Sequence, residues 1–226
     1  AGKDKEYDNK PEREEWLKDN GFGMFIHFGV DAQLGTVISH SLVGASDEYV
    51  RRYFNKLPES FNPSEFNADR IAKLAKTAGM KYIVFTTKHH SGFCMWDTET
   101  TDFNIMNTPY GDDMVKQYVE ATREQGLDVG FYYSPEDFHF LHEKGITISR
   151  SRFQEAVTPE IKEDYHQFIR DQIRELFTNY GKIDLLFLDG DYEEPAKQTA
   201  WKLQPNVLVT RGALETPEQT IPGNPM

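Results

Sequence analysis

Five short segments of the chain are almost uniformly apolar and end at a polar residue. They are residues 23–28 (GMFIHF), 81–87 (KYIVFTT), 128–134 (DVGFYYS), 183–189 (IDLLFLD) and 206–211 (NVLVTR). Apolar runs of this length, bounded by Gly, Asn or charge, predict strands buried on both faces. Between them the apolar positions recur at helical spacing. Residues 66–79 align Phe66, Ile71, Leu74, Ala75 and Ala78 and stop at Gly79. Residues 112–126 repeat the pattern and stop at Gly126. Residues 160–181 carry Ile161, Tyr165, Phe168, Ile169, Ile173, Leu176, Phe177 and Tyr180 on one stripe and end at Gly181. A weaker helical pattern covers residues 194–203.

Strand alternating with helix predicts a parallel sheet with right-handed crossovers. Each strand carries its unusual polar residues at its C-terminal end: His27, His89 with His90, Tyr133 with Ser134, Asp189 and Arg211. Barrels and doubly wound sheets both bind at that end. No G-x-G-x-x-G follows the first strand and no Walker loop occurs, so the expected fold is α/β, a (β/α)8 TIM-like barrel. About five β/α units of it are expected here, with residues 1–226 forming one catalytic barrel domain that is incomplete at its C-terminal end.

Charge and composition narrow the chemistry. The formal net charge of −12 disfavours nucleic acid as a partner, since a phosphate-binding face needs clustered Lys and Arg. A single cysteine, Cys94, rules out a disulfide framework and a cysteine-rich zinc site. No apolar run of about 18 residues is present to span a membrane. The N-terminal residues have no apolar signal region, which fits a cytosolic chain or a mature start after signal removal.

The adjacent histidines in residues 86–104 (TTKHHSGFCMWDTETTDFN) pose the sharpest question. Within a strand, neighbouring side chains point to opposite faces, so only the turn after the strand could bring both rings to one pocket. A metal, a histidine pair in the core or on the surface, and hydrogen bonding to a polar ligand are all open readings. No H-E-x-x-H helix and no cysteine ligands support zinc, whereas an imidazole's paired donor and acceptor suit a polar ligand. Asp189 emerges from a buried strand beside Gly190. It could cap the next helix. Among His, Tyr, Trp and Arg at the same rim, it could equally be one of the two carboxyl groups a glycosidase needs.

The chain resembles the α-L-fucosidases of glycoside hydrolase family 29. The resemblance rests on GFGMFIHFGV, LAKTAGMKYIVFTTKHHSGFCMWDTETTDFNIMNTPYGDDMV, GLDVGFYYSPED, ELFTNYGKIDLLFLDGD and RGALETPEQTIPG, in the family's order and over most of the chain. It implies a retaining exo-hydrolase that removes terminal α-L-fucose from a fucosylated oligosaccharide or glycoconjugate. No cofactor, no metal, no nucleic acid and no membrane span are implied. An oligomer and a secreted, periplasmic or lysosomal-type compartment would fit. Asp189 falls on the family's nucleophile. His27, His89 and His90 fall on histidines that hold the sugar's hydroxyls. Glu48 falls on a glutamate that contacts the sugar. Tyr133, with Tyr132 as its close competitor, and Arg211 fall near the nucleophile. Phe187 stands two residues before it, where the family often has Trp. Other departures are His27-Phe28-Gly29 in place of His-Trp-Gly and Glu48-Tyr49-Val50 in place of Glu-Trp-Tyr. The resemblance places the acid/base glutamate beyond Met226, with Glu215 and Glu218 as weak candidates inside the chain. A sugar-binding module without turnover and a metal-dependent barrel enzyme are the competing expectations.

Overall fold

The computed structural model describes residues 8–36, 39–149 and 153–211. A short helix, α1 (Pro11–Asp19), leads into strand β1 (Gly23–Ile26). Helices α2 (Asp47–Ser60) and α3 (Ala68–Thr77) precede β2 (Tyr82–Lys88). Then follow α4 (Met114–Glu124), β3 (Asp128–Tyr133), α5 (Phe138–Glu143), α6 (Phe153–Ala156), α7 (Pro159–Asn179), β4 (Leu185–Leu188), α8 (Glu193–Leu203) and β5 (Leu208–Thr210). Helices α2, α3, α4 and α5 begin where the sequence offers a cap. Ser46, Asn67, Asp113 and Asp137 each accept a backbone N–H of the helix that follows. Helices α1, α2, α5 and α6 were not anticipated. The signal for α2 lies in Ser46 and the i, i+3, i+4, i+7 spacing of Val50, Tyr53, Phe54 and Leu57.

All five strands are parallel and lie in chain order, β1-β2-β3-β4-β5. Sequential order without reversal has no switch point, so this is barrel topology and not a doubly wound sheet. Alternation divides the sheet's two faces. Ile83, Phe85, Phe131, Tyr133, Leu186, Leu188 and Val209 join the larger core with residues of the helices. Val84, Tyr132, Leu185, Phe187 and Leu208 form a second buried cluster with Leu17 of α1, and Trp16, Phe25 and Tyr82 pack on it. That second face is the barrel interior. Helix α1 closes its lower end, where Arg13 donates to the Asp184 carbonyl at 3.1 Å. Just before α1, the Asn9 side chain pairs with both backbone groups of Val209 on β5. Among the described residues no helix is long and apolar enough to cross a membrane.

One irregularity positions the site. Thr86 pairs with Tyr132, but Lys88, not Thr87, pairs with Tyr133. The extra residue is a β-bulge, and it reverses the alternation beyond it. Lys88 turns to the outer face, where its Nζ bonds Asp137 Oδ2 at 2.8 Å and lies 4.6 Å from the centre of the Tyr133 ring. His89 returns to the interior and stacks on Tyr132, with centroids 5.4 Å apart and planes 4° apart.

Candidate active site

Asp189 sits immediately after β4 at the C-terminal rim, and its side chain is largely buried, 9 % exposed. The Tyr132 hydroxyl donates to Oδ2 at 2.6 Å, and Arg211 Nη1 lies 2.9 Å from Oδ1. His90 Nε2 stands 3.6 Å from Oδ2. A phenol and a guanidinium therefore bond to one carboxylate, with an imidazole ring beside it, and charge-assisted bonds of this kind hold a carboxylate in a single orientation. Phe187 lies below, stacked on Tyr132 at 5.7 Å, with the Arg211 guanidinium 5.5 Å from its ring centre.

The histidines surround this carboxylate. His27 stacks on Phe25 at 4.8 Å and meets His89 edge-on at 5.7 Å. The His89 and His90 rings are 4.5 Å apart. The turn after β2 brings His90 inward, closed by the Gly92 N–H donating to the His89 carbonyl at 2.9 Å. Gly92 has φ +89°, and a Cβ there would lie 2.3 Å from Asp137 Oδ1, so the turn needs glycine.

Of the expected residues, Asp189, His27, His89, His90, Phe187 and Arg211 come together. Tyr133 does not. Its hydroxyl donates to Gln172 Oε1 at 2.7 Å in the outer core, and burial pushes its pKa up. The correction is Tyr132, which shares the inner face and the register of Phe187. Two adjacent tyrosines ending one strand must point opposite ways, and the sequence does not say which way is inward. Glu48 lies exposed in the first turn of α2, outside the hydrogen-bonded cluster. Glu215 and Glu218 lie outside the described residues.

Four residues were missed as site residues. Glu136 is buried at 4 % exposure, accepts the Asp191 N–H at 2.9 Å, and places Oε2 3.6 Å from His90 Nδ1. Ser134 Oγ lies 2.5 Å from His90 Nδ1, and Ser39 Oγ lies 2.8 Å from His89 Nδ1. Asp31, buried in turn, accepts the Ser39 N–H at 3.1 Å, and desolvation pushes its pKa up to about 6. Ser134 ends a predicted strand and was in plain view. Asp31 lies in a short 3-10 helix after β1 and Ser39 just before another, with no motif to mark either.

Each of His89, His90 and Asp189 offers one atom, and these atoms all lie within 4.8 Å of one another, a spacing that admits a metal ion, but Asp189 already faces the positive charge of Arg211. That guanidinium, 2.9 Å from Asp189, opposes a cation there. The arrangement suits a neutral, hydroxyl-rich ligand, for which imidazoles, a phenol and a guanidinium supply bonds of both senses.

Fold and site together define a portion of a (β/α)8 barrel with a polar, carboxylate-centred pocket at the C-terminal rim of its strands. Residues 2–222 match the family model described as alpha-L-fucosidase, and the chain belongs to that family. It is 31% identical over 176 residues to alpha-L-fucosidase 1 of Arabidopsis thaliana, covering 74% of this chain and 28% of that one. Among solved structures it is similar to alpha-L-fucosidase isoenzyme 1 from Paenibacillus thiaminolyticus. That match has TM-score 0.73 and 35% identity, over 88% of this chain and 50% of the other. It is also similar to alpha-L-fucosidase AlfC from Lactobacillus casei, whose structure is a complex with alpha-L-fucose product. The TM-score is 0.74 and the identity 28%, over 90% of this chain and 70% of that one. The chain thus spans between roughly a quarter and two fifths of the length of the curated relatives it matches.

Proposed function

We propose that the protein carrying this chain hydrolyses terminal α-L-fucosides with retention, and that Asp189 is its nucleophile. The observation that carries this reading is the Asp189 carboxylate at the end of β4, held by Tyr132 and Arg211 with His90 beside it. A carboxylate oxygen of Asp189 attacks the anomeric carbon as the bond to the leaving oxygen breaks. The product is a glycosyl ester of Asp189, and the leaving oxygen takes a proton from a second carboxylic acid. Water, deprotonated by that same group, then attacks the anomeric carbon and releases Asp189. Bonds from Tyr132 and Arg211 orient the nucleophile before attack. The histidines hold the sugar's hydroxyls, and the aromatic floor of Phe187 and Tyr132 supports the apolar side of the ring.

The second carboxylate must stand roughly 5–5.5 Å from the first. Glu136 is the other buried carboxylate that faces His90, but it is committed to the Asp191 amide, so it is not assigned this role. The acid/base is assigned outside the described residues. A fucosylated glycan is the expected substrate class, as in the complex of alpha-L-fucosidase AlfC D200A with Fuca(1,6)GlcNAc.

The test uses the full-length protein with an aryl α-L-fucoside, following the anomer released by proton NMR. The α-anomer of fucose should appear first. In Asp189→Gly, turnover should fall on the order of 10³-fold or more, because covalent catalysis is lost. Added azide should restore part of the rate and give the β-fucosyl azide. Near-normal turnover in a clean Asp189→Gly preparation would overturn the assignment. Fucose binding without turnover in the wild type would leave a sugar-binding module instead.

A further inference from the structure

The two histidines rest on two serines, and each serine has a backbone partner of opposite sense. Ser39 is fully buried, and the Ser91 amide donates to its Oγ at 2.8 Å. An amide N–H can only donate, so it occupies a lone pair of Oγ and leaves the hydroxyl proton to be placed. The other partner of that oxygen is His89 Nδ1 at 2.8 Å. Placing the proton there satisfies the buried hydroxyl, and it requires a lone pair on Nδ1. Ser134 is also fully buried and shows the reverse. Its Oγ donates to the Glu136 carbonyl at 3.0 Å, and a carbonyl can only accept, so the hydroxyl proton is spent. His90 Nδ1, 2.5 Å from the same oxygen, must then bring its own proton. The Glu136 carboxylate oxygen 3.6 Å from that nitrogen favours a proton there as well.

We infer that the adjacent histidines are held with opposite Nδ1 protonation, and that Ser39 and Ser134 are the positioning residues that impose it. His89 is a neutral ring with Nδ1 accepting, so its proton is on Nε2. His90 carries a proton on Nδ1, with Nε2 turned toward Asp189. If the hydrolase reading holds, on which this consequence rests, His89 is a fixed donor to an oxygen of the sugar. It therefore selects a hydroxyl or ether oxygen and selects against an ammonium substituent at that position. Ser39 lies outside the stretches that carry the family resemblance, so this tautomer is set by a loop outside those motifs. The loop is held in turn by the bond from the Ser39 N–H to Asp31 Oδ1.

Nitrogen-15 NMR of the full-length protein, labelled at histidine and free of ligand, tests this at neutral pH. His89 should show an unprotonated Nδ1 and a protonated Nε2, and His90 should show a protonated Nδ1. The same Nδ1 state in both rings overturns the inference. The variant Ser39→Gly deletes the hydroxyl while suiting the positive φ of 57° at that position. In it the His89 proton should distribute over both nitrogens, and the Kd for fucose should rise by about tenfold, the scale of one hydrogen bond in a dry site. An unchanged His89 spectrum in that variant also overturns the inference. The wild-type spectrum decides the tautomers even if the variant fails to fold. Opposed tautomers in a protein that binds no fucose would sink the hydrolase reading and leave this inference standing.

Discussion

Tyr132 and Tyr133 are neighbours in sequence, both fully buried, and bonded to opposite sides of the sheet. Their phenylalanine variants should part accordingly. Tyr132→Phe removes a donor from the Asp189 carboxylate, a bond of roughly 1.5–3 kcal/mol, so kcat/KM should fall by about 10- to 100-fold with little change in stability. Tyr133→Phe strands Gln172 Oε1 in the outer core. It should cost about 1–2 kcal/mol of stability and leave kcat/KM within about threefold. Urea denaturation and steady-state kinetics on both variants check the pair, and a reversed pattern would return the site to Tyr133. Asp31 carries the pH argument at this scale. Its pKa is raised by desolvation to about 6 in the folded protein, against about 3.9 unfolded. The native state therefore binds the extra proton between about pH 4 and 6, and stability falls as pH rises through that window. Asp31→Asn keeps an acceptor for the Ser39 amide and removes the charge. It should stabilise the protein by on the order of 2 kcal/mol at pH 8 and by much less at pH 4. Denaturation at the two pH values reads the difference, and an equal effect at both would show that the charge is not what burial penalises.

At the scale of elements, the β2 bulge and the turn after β4 do the positioning. The bulge puts Lys88 and His89 on opposite faces from those a regular strand would give them. The turn after β4 depends on Gly190, at φ +106°, packed against Glu136. A Cβ on Gly190 would lie 2.8 Å from the Glu136 carboxyl carbon. Gly190→Ala should therefore cost about 1–3 kcal/mol in stability, and it should lower kcat more than it raises KM, because the displaced atoms carry Asp189. A variant with wild-type kcat and stability would show that the turn tolerates a side chain.

At the scale of the whole molecule, one buried ion pair joins the rim of the sheet to the helical layer. Lys88 is fully buried, and Asp137, which caps α5, is almost so. Breaking such a pair on one side strands a charge. Lys88→Met should cost about 3–5 kcal/mol, and adding Asp137→Asn should recover part of that loss. Thermal unfolding of the single and double variants measures the coupling, and strictly additive losses would mean that the two residues do not act as a pair.

How much of this was legible follows from the range of the interactions involved. All five strands and helices α3, α4, α7 and α8 could be read from periodicity, because burial on two faces or on one stripe writes a local pattern. Sequential strands with chemistry at their ends pointed to a barrel, and the resemblance put Asp189, three histidines and Arg211 in one site. Helix α2 was legible too, in its Ser46 cap and in the spacing of Val50, Tyr53, Phe54 and Leu57. The sequence by itself determined the elements, their order and the strand end that bears the chemistry. Only the tertiary structure decided that Tyr132 faces inward, that a bulge turns His89 back into the barrel, and that Ser39, fifty residues away, holds it. Those outcomes depend on register between strands and on contacts across loops. A one-residue shift exchanges the faces of a strand at no cost to its local pattern, so no local reading can fix them.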